Sequence, residues 1–152
     1  MAIRVGDTAP DFTLKDQNGN EVTLLALRGK NVLLSFHPLA WTKICGQQMK
    51  SLEDNYLRFQ EKKTVAFGVS VDSVPSKKAW AERDLGISKT SLLSDFWPHG
   101  GTAKRFGLFR EQDGFSQRAN VIIDVQGRVS FVKIYDISQL PDIDEIVNEI
   151  KD

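Results

Sequence analysis

The chain has 152 residues, 26% of them charged, with Lys+Arg and Asp+Glu both at 20 and a formal net charge of zero. That balance leaves no electrostatic footprint for nucleic acid or for an anionic membrane surface, and no apolar run approaches the length of a membrane span. Hydrophobic content of 41% suits one soluble globular domain over residues 1–152, and no repeat, low-complexity tract or linker divides it.

The opening residues, Met1 to Phe12, lack the apolar core of a secretory signal, so a cytoplasmic location is the default expectation. Phe12 to Lys15 and Glu21 to Thr23 flank an Asn18-Gly19 turn and predict a β-hairpin. Leu24 to Leu27 reads as a short helical turn that Arg28-Gly29-Lys30 ends. Val32 to Phe36 is a continuous apolar run broken only by Ser35, the pattern of a buried strand. Pro38 then ends ladder pairing and turns the chain. A helical pattern runs from near Thr42 to about Glu61.

Thr64 to Val71 predicts a second buried strand. A helix follows from about Ser76 to Leu85, with Pro75 at its start and Gly86 as its stop. Leu92-Leu93 suggests a short strand, Ser94 to Gly101 a loop, and Thr102 to Phe106 a short helix. Residues 109–117 are polar and turn-rich. Arg118 to Asp124 and Arg128 to Tyr135 flank the Gln126-Gly127 turn as a second hairpin. Pro141 opens a final helix with Ile143, Ile146, Val147 and Ile150 on one face. Strands alternating with helices in the middle imply parallel βαβ units, and the closing hairpin makes the sheet mixed.

Chemistry concentrates between Ser35 and Met49, which hold the only cysteine, Cys45. One cysteine excludes an internal disulfide, and there is no CxxC pair. Cys45 falls in the first turn of the long helix, where free backbone N–H groups and the positive end of the macrodipole favour a thiolate. Thr42, three residues earlier, shares its side of that turn and can cap the helix, bond the sulfur or orient a bound oxygen. A second reading stands beside this one. Cys45, Met49, Leu52, Tyr56 and Phe59 form one helical stripe, the pattern of an inert core cysteine. Two separated histidines and one cysteine do not make a metal site, and no cofactor is expected.

Pro38-x-x-x-Thr42-x-x-Cys45 resembles the PxxxTxxC active-site motif of peroxiredoxins of the AhpC/TSA type, thiol peroxidases with a thioredoxin-like fold. The Gly6 to Phe12 segment resembles the start of many members, and Ser94 to Gly100, SDFWPHG, is similar to a segment of the one-cysteine AhpE-like branch. The resemblance spans about Gly6 to Ile150. It implies an α/β, thioredoxin-like fold with a mixed central sheet flanked by helices and an N-terminal β-hairpin. It also implies that Cys45 is the peroxidatic nucleophile, and that Arg118 supplies the cation for the leaving oxygen. Thr42 then holds the peroxide in line, and Pro38 shields the thiolate. On the residues alone, Arg118 reads more readily as a surface arginine at a strand start, since most arginines are exposed.

Departures accompany the match. Gln48 stands where many members carry glutamate, so it can accept a hydrogen bond without adding negative charge. His37 takes a position often held by another aromatic, either as a packing group or as a pH-sensitive neighbour. His99 reads as a residue that structures the loop around Trp97. With no resolving cysteine, the implied cycle uses an external thiol: a glutaredoxin-, mycoredoxin- or thioredoxin-like protein, or a small thiol. A homodimer or larger homo-oligomer is expected, and Trp41, Phe96 and Trp97 can anchor an interface or pack over the pocket. The competing functions are a redox-sensing or partner-binding thioredoxin-like module with little turnover, and a non-catalytic domain with a buried cysteine.

Overall fold

The structure, a computed structural model, describes residues 1–151. Among the described residues nine strands occur, seven of them in one sheet. The hairpin β1 (Thr13–Lys15) and β2 (Glu21–Thr23) is followed by a 3₁₀ turn at Leu24–Leu27. Then come β3 (Asn31–Phe36), α1 (Lys43–Asp54), α2 (Tyr56–Glu61), β4 (Thr64–Ser70) and α3 (Val74–Ala79). A π-helical turn at Trp80–Leu85 leads to β5 (Ser91–Ser94) and α4 (Gly101–Arg105). The chain closes with β6 (Phe109–Arg110), β7 (Phe115–Ser116), β8 (Arg118–Ile123), β9 (Val129–Tyr135) and α5 (Ile143–Glu149).

The sheet order is β2-β1-β5-β4-β3-β8-β9. β3, β4 and β5 run parallel, while β8 runs antiparallel to β3 and β9 antiparallel to β8. The expected mixed α/β sheet with its N-terminal hairpin is therefore present, and the fold is thioredoxin-like. Period-two alternation separates two cores. Val32, Leu34 and Phe36 point to one face, with Phe67, Val69, Leu93, Ala119 and Val121; the N-terminal residues Phe12, Leu14 and Leu24 and the α4 region cover them. Leu33, Leu92 and Ile122 point to the other face, under Cys45, Met49, Leu52, Trp80, Ile146 and Ile150. Leu33, Leu34 and Phe36 have no exposed surface, and burying each stabilises the fold by about 2 kcal/mol.

The predicted helix from Thr42 to Glu61 is interrupted at Asn55, whose backbone leaves helical geometry at φ −107° and ψ 17°. Its side-chain amide donates to Ser51 O at 2.8 Å, a local bond that competes with the helical ladder. The helix expected from Ser76 begins at Val74, because Ser73 is its N-cap. The polar stretch 109–117 contains the small hairpin β6–β7, in which Phe109 pairs with Ser116. Its two-residue strands are too short for a sequence pattern to show. Gly86 and Gly19 adopt left-handed φ of +67° and +82°, as a helix stop and a hairpin turn require.

Candidate active site

The same alternation that builds the second core places polar groups at its upper end. Leu33, Ser35 and His37 follow one another on the face under α1. β4 contributes Gly68 and Ser70 there, and β8 contributes Asn120 and Arg118 through the register Ser35↔Asn120 and Phe36↔Ala119. Because β8 is antiparallel to β3, its first residue lies where β3 ends. That is the carboxyl edge of the parallel strands, where α/β sheets place ligand sites. The pairing brings Arg118 against Cys45 across 73 residues of sequence.

Cys45 occupies the third position of α1 and is 1% exposed. Its Sγ accepts from Arg118 Nη1 at 3.4 Å. The same Nη1 donates to Gln48 Oε1 at 2.7 Å, while Nε and Nη2 donate to Ile137 O at 3.0 and 2.7 Å. Gln48, one turn after Cys45, is held in place by its own amide, which donates to Ser35 Oγ at 2.7 Å and Phe36 O at 3.1 Å. Arg118 is 2% exposed, and among the described residues no carboxylate forms an ion pair with it. A buried cation without a counter-ion is costly. The Cys45 sulfur, a group able to carry negative charge, lies within its reach.

The loop 38–42 closes the site from the side. Pro38 is buried. Trp41 carries φ +69°, a left-handed conformation that a bulky residue holds only when its surroundings enforce it. Two bonds from the β4–α3 region enforce it here. Asp72 Oδ2 accepts from Ala40 N at 2.8 Å, and Ser76 Oγ accepts from Trp41 Nε1 at 3.0 Å. Thr42 is the N-cap residue of α1, yet its hydroxyl makes neither a cap bond nor a bond to sulfur. It donates to Leu39 O at 2.9 Å, so its oxygen lone pairs face outward as acceptors. Trp41 and Thr42 line an open groove of about 570 Å³ with Lys43, Gly46, Gln47 and Leu85.

Cys45, Arg118 and Gln48 are thus in direct contact, with Thr42 and Pro38 on the loop beside them. Sequence reasoning missed Ile137 O and Ser35, and it missed Lys77. Lys77 is fully buried, with Nζ 3.4 Å from His37 Nε2 and donating to Ser70 Oγ. One signal was available: Lys77 lies three and four residues before the buried Trp80 and Ala81, on an apolar helical stripe. His37 is also fully buried; its Nδ1 faces Ser35 O at 3.3 Å, and its ring lies 5.6 Å from Trp80. Burial, and then the Lys77 charge, hold His37 well below its ordinary 6.5. It is therefore neutral, with the Nδ1 proton toward Ser35 O and Nε2 free to accept.

The loop SDFWPHG has a structural part. Asp95 accepts from Thr102 N and Ala103 N, each at 2.9 Å, at the start of α4. His99 Nε2 lies 2.7 Å from Gly114 O and ties the loop to the β6–β7 hairpin. Trp41, Phe96 and Trp97 are exposed rather than packed over Cys45. Among the described residues no cluster of three or more His, Cys, Asp and Glu side chains has metal-binding geometry, and no helix is long and apolar enough to cross a membrane.

The chain is similar to known proteins over most of its length. The model of the AhpC/TSA family matches residues 5–132. Alkyl hydroperoxide reductase E of Mycobacterium tuberculosis is 44% identical over 133 residues, 87% of this chain and 86% of that protein. Among solved structures, the reduced 2-Cys peroxiredoxin of Plasmodium vivax superposes with a TM-score of 0.89 at 30% identity, over 96% of this chain and 79% of that one. AhpC of Enterococcus faecalis gives the same TM-score of 0.89 at 26% identity, over 99% and 91%.

Proposed function

The chain belongs to the AhpC/TSA family, and from that membership and the site we propose that Cys45 is the peroxidatic nucleophile of a one-cysteine peroxiredoxin. The protein is an oxidoreductase, a thiol-dependent peroxidase that reduces hydroperoxides. The observation that carries the site assignment is the buried Arg118 guanidinium, without an ion-pair partner among the described residues, 3.4 Å from Cys45 Sγ.

The Cys45 thiolate attacks the terminal oxygen of a hydroperoxide. An S–O bond forms, the O–O bond breaks, and the leaving alkoxide takes a proton and departs as alcohol or water. Cysteine becomes sulfenic acid, a two-electron oxidation that matches the two-electron reduction of the peroxide. Arg118 stays charged and offers a fixed fork, so it stabilises negative charge on the oxygens as the bond breaks. Thr42, its own proton committed to Leu39 O, accepts from the peroxide hydroxyl and aligns it. Pro38 excludes water from the sulfur.

An external thiol then attacks the sulfenic sulfur, releasing water and leaving a mixed disulfide, and a second thiol frees Cys45. Hydrogen peroxide and small organic hydroperoxides are the substrates. The reductant is a glutaredoxin-, mycoredoxin- or thioredoxin-like protein or a small thiol, consistent with a lone cysteine and an open groove beside α1. The exposed Trp41, Phe96 and Trp97 support a homodimer or larger homo-oligomer, and a cytoplasmic site of action fits a single cysteine that must be kept reducible.

Stopped-flow tryptophan fluorescence with one equivalent of hydrogen peroxide, paired with intact mass, tests the assignment. Rapid second-order gain of one oxygen on Cys45, absent in Cys45→Ser, is expected. A thiol no faster than free cysteine would overturn it.

A further inference from the structure

A second polar cluster adjoins His37, and the mechanism above does not use it. Its centre is Lys77 on α3, with no exposed surface. A lysine that cannot bring its ammonium to water is uncommon, because the charged form loses its hydration. Here the ammonium meets fixed partners. Nζ donates to Ser70 Oγ, Ser70 Oγ donates to Asp72 Oδ2 at 2.6 Å, and the same carboxylate oxygen accepts from Ala40 N at 2.8 Å. A bonded path therefore runs from Lys77 to the loop that carries Pro38 and Thr42. On its other side Nζ meets the neutral His37 ring, whose position is shaped by Gly68. Any side chain at Gly68 would collide with Met49 and crowd His37.

We propose that Lys77 is a positioning residue of the peroxidase site, a second buried cation whose protonation is coupled to the charge on Cys45. Every element packed around it contributes a group to the coupling. The end of β3 supplies His37 and the end of β4 supplies Ser70 and Asp72. The segment after β5 supplies Asp95, α1 supplies Cys45, and β8 supplies Arg118, whose charge also acts on His37. Burial pushes the Lys77 ammonium down to about 8, while the negative charges of Asp72, Cys45 and Asp95 pull it back up.

Cys45 thus touches one cation, Arg118, and lies in the field of a second, and of the two only Lys77, brought down to about 8, can release its proton near physiological pH. Oxidation replaces the thiolate, whose charge sits on sulfur, with a sulfenic group whose charge is neutralised or moved onto oxygen, and so alters one of the charges that hold that proton. Lys77 is then a proton-linked sensor of the oxidation state of Cys45, and coupling of this kind is reciprocal.

The inference rests on Cys45 as the reactive thiol, yet its decisive measurement does not require peroxide. Protein labelled with ¹³C at lysine Cε is titrated by NMR, with the Lys77 signal identified by its absence in Lys77→Met. The reduced wild type is expected to titrate near 8, and Cys45→Ser to lower the midpoint by about half a unit or more. Oxidation with one equivalent of hydrogen peroxide is expected to act in the same direction. A midpoint in the ordinary lysine range, or one unmoved by Cys45→Ser, would overturn the proposal. If peroxide leaves Cys45 unmodified while Cys45→Ser still moves Lys77, the peroxidase assignment fails and the coupling stands. A second readout is alkylation of Cys45 by iodoacetamide. Lys77→Met is expected to slow it about threefold or more at neutral pH, with the deficit shrinking as pH rises above 8. A purely structural role for Lys77 slows it equally at every pH. Should Lys77→Met not fold, the Cys45→Ser titration decides alone, with signals assigned through Lys77→Arg.

Discussion

Two buried cations flank the same helix start, and they are held differently. Arg118 has Nε, Nη1 and Nη2 bonded to Ile137 O and Gln48 Oε1. Neither acceptor ionises, so the guanidinium is locked in place and permanently charged. Lys77 rests on a hydroxyl and an imidazole nitrogen, and burial brings it to about 8. The first arrangement suits a group that must meet charge developing on an oxygen within one bond vibration. The second suits a group that reports on its surroundings. Contact with Cys45 also differs: Arg118 touches the sulfur at 3.4 Å, whereas Lys77 acts through space and through the Ser70–Asp72–Ala40 path.

Removing the fixed cation has the largest expected effect. Arg118→Ala is expected to slow sulfenic acid formation by about 10²- to 10³-fold while leaving Cys45 present, measured by stopped flow with peroxide. Arg118→Lys does not restore the rate, because an ammonium cannot reach Ile137 O, Gln48 and Cys45 together.

Removing the variable cation is expected to cost no stability at neutral pH. Lys77 is held near 8 in the folded chain and near 10.5 in the unfolded one, so below 8 its burial costs about 3 kcal/mol. Between 8 and 10.5 the unfolded chain binds the extra proton, so wild-type stability rises with pH across that window. Lys77→Met removes the cost but leaves Ser70 Oγ and His37 Nε2 each one hydrogen bond short, for a net gain of about 2 kcal/mol at pH 7. Urea unfolding of both proteins at pH 7 and pH 10 is expected to show that gain shrinking with pH. A gain that stays constant would break the contrast with Arg118.

Gln48→Ala tests how firmly the guanidinium is held. It removes one acceptor of Arg118 and keeps Ile137 O, so a loss of about tenfold in the peroxide reaction is expected, well short of Arg118→Ala. The smallest effect falls on His37→Phe. The folded state keeps His37 well below 6.5, so the unfolded chain takes up a proton first as pH falls through 6.5, and stability drops there. Phenylalanine removes that loss, and the variant's urea midpoint is expected to change less between pH 7 and pH 5 than the wild type's.

Much of the fold follows from short-range pattern. The apolar run Val32 to Phe36, the Asn18-Gly19 turn, and the stop at Gly86 each depend on neighbours within a few residues. The hairpin β6–β7 did not, because strands of two residues are too short to carry a readable alternation. The Asn55 break was likewise hidden inside an apolar periodicity that continues through it.

For the site, the sequence by itself determined that a cysteine follows a buried strand, a proline turn and a threonine at the start of a helix. All of these lie within one contiguous stretch, where local geometry decides placement. Arg118 entered through family resemblance, because no local pattern links residues 73 apart; the antiparallel register of β3 and β8 makes that link. Lys77 and His37 were decided only by tertiary structure. A lysine on a helix reads as solvated unless every path to water is closed. Here Trp80, His37, Ser70 and the sheet beneath close them together, and the ammonium is left beside the sulfur's own field.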